Sequence, residues 1–418
     1  MTGRRDYGDG SLEERSPNRW RLRWRVGSNR YNKAFNGSKR AAQTELRRLL
    51  KSADDGQHVG PDRTTLTAWV DQWLALLQRR QTEASSDRPA KPTNSPSAKR
   101  KRGLVNAKTL ERYAELLRLH VTPTLGGRRL QQITAPEIDA LYVKLEAKLS
   151  SSTVHAVHVV LGSCLNAAVR KGLLIGNPVQ KAEAPATGDH GAAGQVLDQD
   201  ELARLLDGFR GRALYPIVVA AAFTGARRGE LLALRWIDFD AANKTITIRR
   251  SLEETKAHGL RFKEPKGERG IRTIAIDDNL VALLCAERDN HRRILAGVGQ
   301  HEAVDLSLVK LPSGALVFPS AAISRIDFTR PRHPEAVTKN FVTRATKLGF
   351  AGLRFHDIRG THETMLLDAG VPVHVVAARC GHDPAVLLHV YAKRTRKADT
   401  SAAAVIGAMS NAVLGGAE

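Results

Sequence analysis

From Trp20 to Val26 apolar and cationic residues alternate at every step, Trp-Arg-Leu-Arg-Trp-Arg-Val. A period of two places Trp20, Leu22, Trp24 and Val26 on one face of a strand and Arg21, Arg23 and Arg25 on the other. Gly27-Ser28-Asn29-Arg30 supplies turn residues and Tyr31 to Phe35 repeats the alternation, so a hairpin is expected. The period then changes. Ser38 offers an N-cap, and Ala42, Leu46, Leu49 and Leu50 recur at helical spacing to cover the apolar face of the sheet.

Leu66, Trp69, Val70, Trp73, Leu76 and Leu77 form a helical stripe within 64–77, and helical periodicity returns at 108–119, 135–149 and 152–171. The last of these ends at Gly172, with Asn177-Pro178 beyond it. These four helices make an all-α unit. The segment 81–106 interrupts them with Pro89, Pro92, Pro96, several serines and the run Lys99-Arg100-Lys101-Arg102. Such a composition cannot bury a core, and a disordered basic insertion is expected, either lying against backbone phosphates or serving as a solvated linker. Residues 181–195, rich in Ala and Gly, form a second linker. Beyond it Asp198, Glu201, Leu202, Leu205 and Leu206 start a helix, and Leu214 to Phe223 continues with an almost wholly apolar, buried one. Lys244 to Ile248 and Arg272 to Ile276 are short β-branched strands. The expected fold class is mainly α with small β-sheets.

With 418 residues the chain is long enough for two or three domains, since single cores rarely grow beyond about 250–300 residues. Its 65 Lys plus Arg against 43 Asp plus Glu give a formal net charge of +22. A surplus of that size draws polyanions and makes nucleic acid the leading partner. No acid interrupts the arginines of 20–26, so that strand face is expected to meet DNA. No run approaches the ~18 apolar residues of a membrane span. The opening Met1-Thr2-Gly3-Arg4-Arg5-Asp6 lacks the apolar stretch of a secretion signal, so a cytoplasmic protein with no membrane partner is expected. Cys164, Cys285 and Cys380 are too widely spaced for a disulfide framework or a zinc site. His155 and His158 share a helix without a third ligand, which makes them structural residues.

Four short segments carry candidate chemistry. In Thr224-Gly225-Ala226-Arg227-Arg228-Gly229-Glu230-Leu231 a buried helix ends at a glycine and Arg227 opens the next one. A guanidinium held by a buried frame suits bidentate contact with phosphate, although Arg227 can instead pair with Glu230 one turn on. Glu264 to Ile276 is a Gly-rich hairpin with Lys266 near its tip. An ammonium there, beside other cations, can protonate a leaving oxygen or simply remain a solvated turn residue. His356-Asp357-Ile358-Arg359 sets a His and an Arg three apart on one helical face. Ala378 to Asp383 ends a helix at Gly381 and presents His382 nine residues before Tyr391, whose neighbours His389, Lys393, Arg394 and Arg396 keep the segment polar. Alone, Tyr391 reads first as a core aromatic. No carboxylate or thiolate set accompanies His356, His362 and His382, so neither metal nor cofactor is expected.

In this order and at these spacings the segments resemble those of the tyrosine recombinase family, the phage-type integrases. The family's T-G-x-R-x-x-E-L box matches Thr224 to Leu231, P-K-x(5)-R-x-I matches Pro265 to Ile274, and H-x-x-R matches His356 to Arg359. Its L-G-H box, nine residues before the nucleophile, matches Gly381, His382 and Tyr391. Cys380 stands where Leu is usual, Gly360 where His is common, and the basic insertion has no fixed counterpart. The resemblance extends upstream. It implies an arm-type DNA-binding domain of sheet plus helix at 1–58, a four-helix core-binding domain at 63–180, a linker at 181–195, a mixed α+β catalytic domain at 196–398 and a C-terminal tail helix at 399–418.

The resemblance also implies a catalytic set of Arg227, Lys266, His356, Arg359 and His382 around the nucleophile Tyr391, while strand period and charge, apart from the resemblance, give expected DNA contacts from Arg21, Arg23, Arg25 and Lys99-Arg100-Lys101-Arg102. The reaction expected is metal- and ATP-independent strand transfer through a 3′-phosphotyrosyl intermediate, integrating or excising a mobile element such as a prophage. Implied partners are double-stranded DNA at core-type and arm-type sites, a homotetramer on synapsed DNA in which the tail residues Val405, Ile406, Met409 and Val413 dock on a neighbour, and a DNA-bending or excision factor. The setting expected is the bacterial cytoplasm and nucleoid. Three other readings stay open: a chromosome- or plasmid-dimer-resolving recombinase, a topoisomerase-IB-like nicking-closing enzyme, and a catalytically silent DNA-binding protein.

Overall fold

Three antiparallel strands open the chain in a computed structural model: β1 (Ser11–Ser16), β2 (Arg19–Val26) and β3 (Asn29–Asn36), paired in that order. The structure describes residues 10–26, 28–54, 60–86, 105–186, 194–264, 270–320, 326–385 and 387–388. Contacts divide the chain into two units, Met1–His190 and Gly191–Glu418.

The alternation of β2 does what its period dictates. Trp20, Leu22 and Trp24 are buried with Ala42 and Leu46 of helix α1 (Lys39–Asp54), while Arg23 and Arg25 are exposed and Arg21 is half-buried. Ser38 Oγ accepts from Ala41 N–H at 3.3 Å, as an N-cap does. The cationic face is less uniform than expected. Glu13 of β1 stands opposite Arg21 and lies 2.6 Å from Arg23. That acid comes from a strand which the alternation within 20–35 does not reveal.

The rest of the first unit is helical: α2 (Leu66–Ser86), α3 (Ala107–Leu116), α4 (Thr122–Leu125), α5 (Ala135–Glu146) and α6 (Ser151–Arg170). Helix α2 runs to Ser86, into the segment expected to be disordered from residue 81. Gln81, Glu83 and Ala84 are helix formers and the first proline comes only at 89, so the helix outlasts its apolar stripe. Lys99, Arg100, Lys101 and Arg102 lie outside the described residues. The turn Leu117–Val121 is π-helical, next to Pro123, which has no N–H to give a carbonyl one turn back. Helix α6 is long and apolar enough to cross a membrane by composition, but Val154, Val157, Leu161 and Leu165 are all 0% exposed within the helical core. Trp69 Nε1 donates to the Cys164 carbonyl inside that core at 3.0 Å. His158 Nδ1 lies 3.1 Å from the Tyr142 hydroxyl, a structural pairing.

The second unit contains α7 (Gln199–Phe209), α8 (Tyr215–Thr224), α9 (Arg228–Leu231), β4 (Phe239–Asp240), β5 (Thr245–Ile248), β6 (Ser251–Thr255), β7 (Gly259–Lys263) and β8 (Arg272–Ala275). Helices α10 (Asp278–Ala296), α11 (Pro334–Lys347), α12 (Asp357–Asp368) and α13 (Val373–Cys380) follow. Strands β4, β5 and β8 form one antiparallel sheet in which Ile246 faces Ile274. The two strands expected from their β-branched residues therefore pair directly. Between them stands a second hairpin, β6 with β7, which mixed charged and apolar residues hide from a period-two reading. Asp198 and Glu201 form a reciprocal capping box at the start of α7. Helix α8 is the centre of the core: Ile217, Val218 and Ala220 are 0% exposed, and α7, α10 and α12 pack on it. The segment 399–418, expected as a tail helix, lies outside the described residues.

Candidate active site

Two helices end on left-handed glycines, and their free carbonyls build the site. Gly225 closes α8 at φ 63° and Gly381 closes α13 at φ 66°. At Gly381 the N–H of Gly381 bonds to Ala378 O at 3.1 Å and that of His382 to Ala377 O at 2.9 Å. This is a Schellman arrangement, and it fixes where His382 leaves the helix. Gly225 is required for space as well as for its backbone angle. A Cβ there would stand 2.6 Å from His362 Cδ2 and 2.9 Å from Cys380 Sγ.

The guanidinium groups of Arg227 and Arg359 converge on these glycines. Arg359 Nη1 donates to Gly225 O at 2.6 Å and Nη2 to Cys380 O at 2.7 Å, while Arg227 Nη2 donates to Gly381 O at 2.8 Å. The two arginines thus end on consecutive carbonyls. They differ in depth, Arg359 being 2% exposed and the Arg227 side chain 38%. Arg227 is also the N-cap of α9, with Nη1 3.0 Å from Glu230 Oε1. The pairing with Glu230 read as an alternative for Arg227 is therefore present, and it coexists with an accessible guanidinium.

Glu230 is held from a second side. Arg272 of β8 donates to both its oxygens, at 3.2 and 2.8 Å, and places Nε 2.7 Å from Arg379 O. Burial opposes ionisation of Glu230, but Arg272 and Arg227 outweigh it and keep the carboxyl below its ordinary range. Arg379 binds three elements together: Nη1 donates to Ala275 O, Nη2 to Phe223 O and Nε to His362 Nε2 at 3.1 Å. Because His362 Nε2 accepts, its Nδ1 carries the proton and donates to Ala222 O at 2.8 Å. Burial and Arg379 lower the His362 pKa to about 4, so the ring is neutral.

His356 sits at the N-cap of α12, exposed at the surface with its ring closely flanked by protein. Burial first, then Arg359, lowers its pKa, which favours a neutral, proton-accepting imidazole. Arg354 forks onto Asp357 one turn on, with Nη2 2.8 Å from Oδ1, and braces the start of this helix. His382 Nε2 lies 3.0 Å from Glu363 Oε1.

Of the residues singled out from sequence, Arg227, His356, Arg359 and His382 are brought to one place. Lys266 and Tyr391 lie outside the described residues. Sequence reasoning assigned no role to Glu363, Arg379 or His362. The first stands four residues after Arg359, an ion-pair spacing that was legible, whereas the other two depend on the approach of α8, α12 and α13. Among the described residues one group, Glu254, His333 and Glu335, brings ligand-type atoms within 4.8 Å of one another. His333 and Glu335 are exposed, and His333 already lies 3.1 Å from Glu254.

Residues 195–397 match the model of the phage integrase family, and residues 96–184 that of the phage integrase central domain. An integrase of Streptomyces ambofaciens is 26% identical over 430 residues, covering 97% of each chain. Among solved structures, the Tn1549 transposon integrase in complex with circular intermediate DNA has a TM-score of 0.56 at 16% identity, over 78% of this chain and 98% of that one. A lambda integrase tetramer bound to a Holliday junction has a TM-score of 0.50 at 16% identity, over 89% of this chain and 95% of that one.

Proposed function

The chain belongs to the phage integrase family of tyrosine recombinases, and from that premise we propose that Arg227, Lys266, His356, Arg359, His382 and Tyr391 cut and rejoin DNA at specific sites to integrate or excise a mobile element. The observation that carries the reading is the convergence of Arg227 and Arg359 on the consecutive carbonyls of Gly381 and Cys380, beside His382. Convergent, fixed guanidinium groups are what a pentacoordinate phosphate needs for its extra negative charge.

The Tyr391 oxygen attacks the scissile phosphorus as the bond to the 5′-oxygen breaks, leaving a 3′-phosphotyrosine and a free 5′-hydroxyl. Neutral His356 takes the phenol proton and Lys266 supplies one to the leaving 5′-oxygen. Arg227 and Arg359 neutralise the non-bridging oxygens, with His382 on the same phosphate. The phosphotyrosyl bond keeps the energy of the phosphodiester, so a 5′-hydroxyl from a partner strand reverses the step onto new DNA without metal or ATP.

DNA is the substrate and partner. The arginine face of β2 supports a second DNA-reading surface, which bridging of arm-type and core-type sites uses and relaxation of supercoils does not. Assembly as a tetramer on synapsed DNA, help from a DNA-bending or excision factor, and action at the bacterial nucleoid belong to the same proposal.

A duplex nicked beside the scissile phosphate tests it. The short fragment diffuses away after cleavage, so a denaturant-resistant protein–DNA adduct on the 3′-phosphate should accumulate; no adduct on a duplex carrying the element's junction sequence would refute the reading. Arg227→Ala should slow adduct formation by about 10²–10³-fold, the usual cost of removing one donor to a developing oxyanion. Gel-shift affinity should fall little, because Arg227 meets one phosphate among many. Parallel losses of binding and cleavage would make it a DNA anchor instead.

A further inference from the structure

Glu363 has no part in the six-residue set, yet its carboxylate lies between two of its members. It occupies α12 one turn beyond Arg359 and is 7% exposed. Its Oε1 is 3.0 Å from Arg359 Nε and 3.0 Å from His382 Nε2. Both distances are those of ion pairs, but the Arg359 Nε and Glu363 Oε1 atoms are not aligned as a hydrogen bond with any neighbour. The attraction of the carboxylate draws both nitrogens to the same oxygen. Burial works against a charged Glu363, but His382 and Arg359 outweigh it and hold the carboxyl below its ordinary range.

That placement has a consequence for the donors. A guanidinium carries five N–H groups. In Arg359 one on Nη1 and one on Nη2 go to Gly225 O and Cys380 O, and Nε faces Glu363. One N–H on each terminal nitrogen remains. His382, with Nε2 turned to Glu363, has Nδ1 for any further partner. A carboxylate that touches both side chains at one oxygen sets the direction of both sets of remaining donors at once.

We propose that Glu363 is a positioning residue for strand cleavage, orienting Arg359 and His382 so that the remaining N–H groups of Arg359 and, when the ring is protonated, Nδ1–H of His382 meet on a non-bridging oxygen of the scissile phosphate. It rests on the strand-transfer reading above and deepens it. The rival role is compensation of the buried Arg359 charge without effect on the direction of its donors.

Two nicked duplexes separate these roles, one with an ordinary scissile phosphodiester and one with a methylphosphonate there, which lacks one non-bridging oxygen and its charge. In full-length protein Glu363→Gln should slow adduct formation on the phosphodiester by about 10- to 100-fold, the scale seen when a group orienting first-contact ligands is lost. On the methylphosphonate the same variant should lose less than about threefold, because less charge is left to neutralise. Glu363→Asp keeps the charge on a shorter arm and should show the same split more weakly; it serves as the test if the Gln variant does not fold. Equal losses on both linkages would overturn positioning in favour of charge compensation, and an unimpaired Glu363→Gln beside an active wild type would overturn positioning outright. Wild-type protein that forms no adduct on either linkage would overturn the strand-transfer reading, and the role of Glu363 with it.

Discussion

Replacing Tyr391 with phenylalanine should abolish the covalent protein–DNA complex while DNA binding persists. The variant keeps the ring and removes only the oxygen that forms the bond to phosphorus, so the loss should be at least about 10⁴-fold, as for other deleted nucleophiles. Among the described residues of the second unit the remaining tyrosine, Tyr215, begins α8, at the end opposite Gly225. The assignment of Tyr391 rests on its spacing from His382, whose departure from α13 is fixed by the Schellman turn at Gly381. Denaturing electrophoresis of a nicked duplex incubated with each protein reads the result. An adduct from the phenylalanine variant at the wild-type rate would move the nucleophile elsewhere.

The second large effect falls on stability. Arg272→Ala should lower the stability of the second unit by about 3–5 kcal/mol, the range for breaking a buried ion pair from one side. Arg272 and Glu230 have side chains 7% and 2% exposed, so the substitution leaves a carboxylate where water cannot reach it with only Arg227 to pair with its charge. It also deletes the bond from Arg272 Nε to Arg379 O, which joins β8 to α13. Arg227 shares the same carboxylate but is far more exposed, and its loss leaves the Arg272 fork in place. Thermal unfolding of the full chain should therefore show a large shift for Arg272→Ala and a small one for Arg227→Ala. Equal small shifts would mean that Glu230 finds compensation elsewhere.

Much of the site was legible because its signals are local. Period-two alternation placed Trp20, Leu22 and Trp24 in a core, and spacing placed Gly225 and Gly381 at helix ends. A glycine after an apolar helical run carries that information by itself, since only it adopts the left-handed angle without strain. Cys380 departs from the usual residue of its box yet is 0% exposed, and burial pushes its thiol up to about 12, so it fills space as a neutral side chain. Other features were out of reach. Glu13 enters the arginine face through strand pairing, and the β6–β7 hairpin has no clean alternation to announce it.

The sequence by itself determined the reaction type through its resemblance to the phage-type integrases, because four boxes of chemically suited residues occur in the family's order and at its spacings. Only the tertiary structure decided that Arg359 is almost wholly buried and reaches the carbonyl of Gly225, 134 residues away in sequence. It alone placed Glu363 against His382 and Arg272 against Glu230. Side-chain spacing encodes contacts over one helical turn or one strand pair. Which helix ends meet, and how deeply a charge sinks between them, depends on how α8, α12 and α13 pack on a common core.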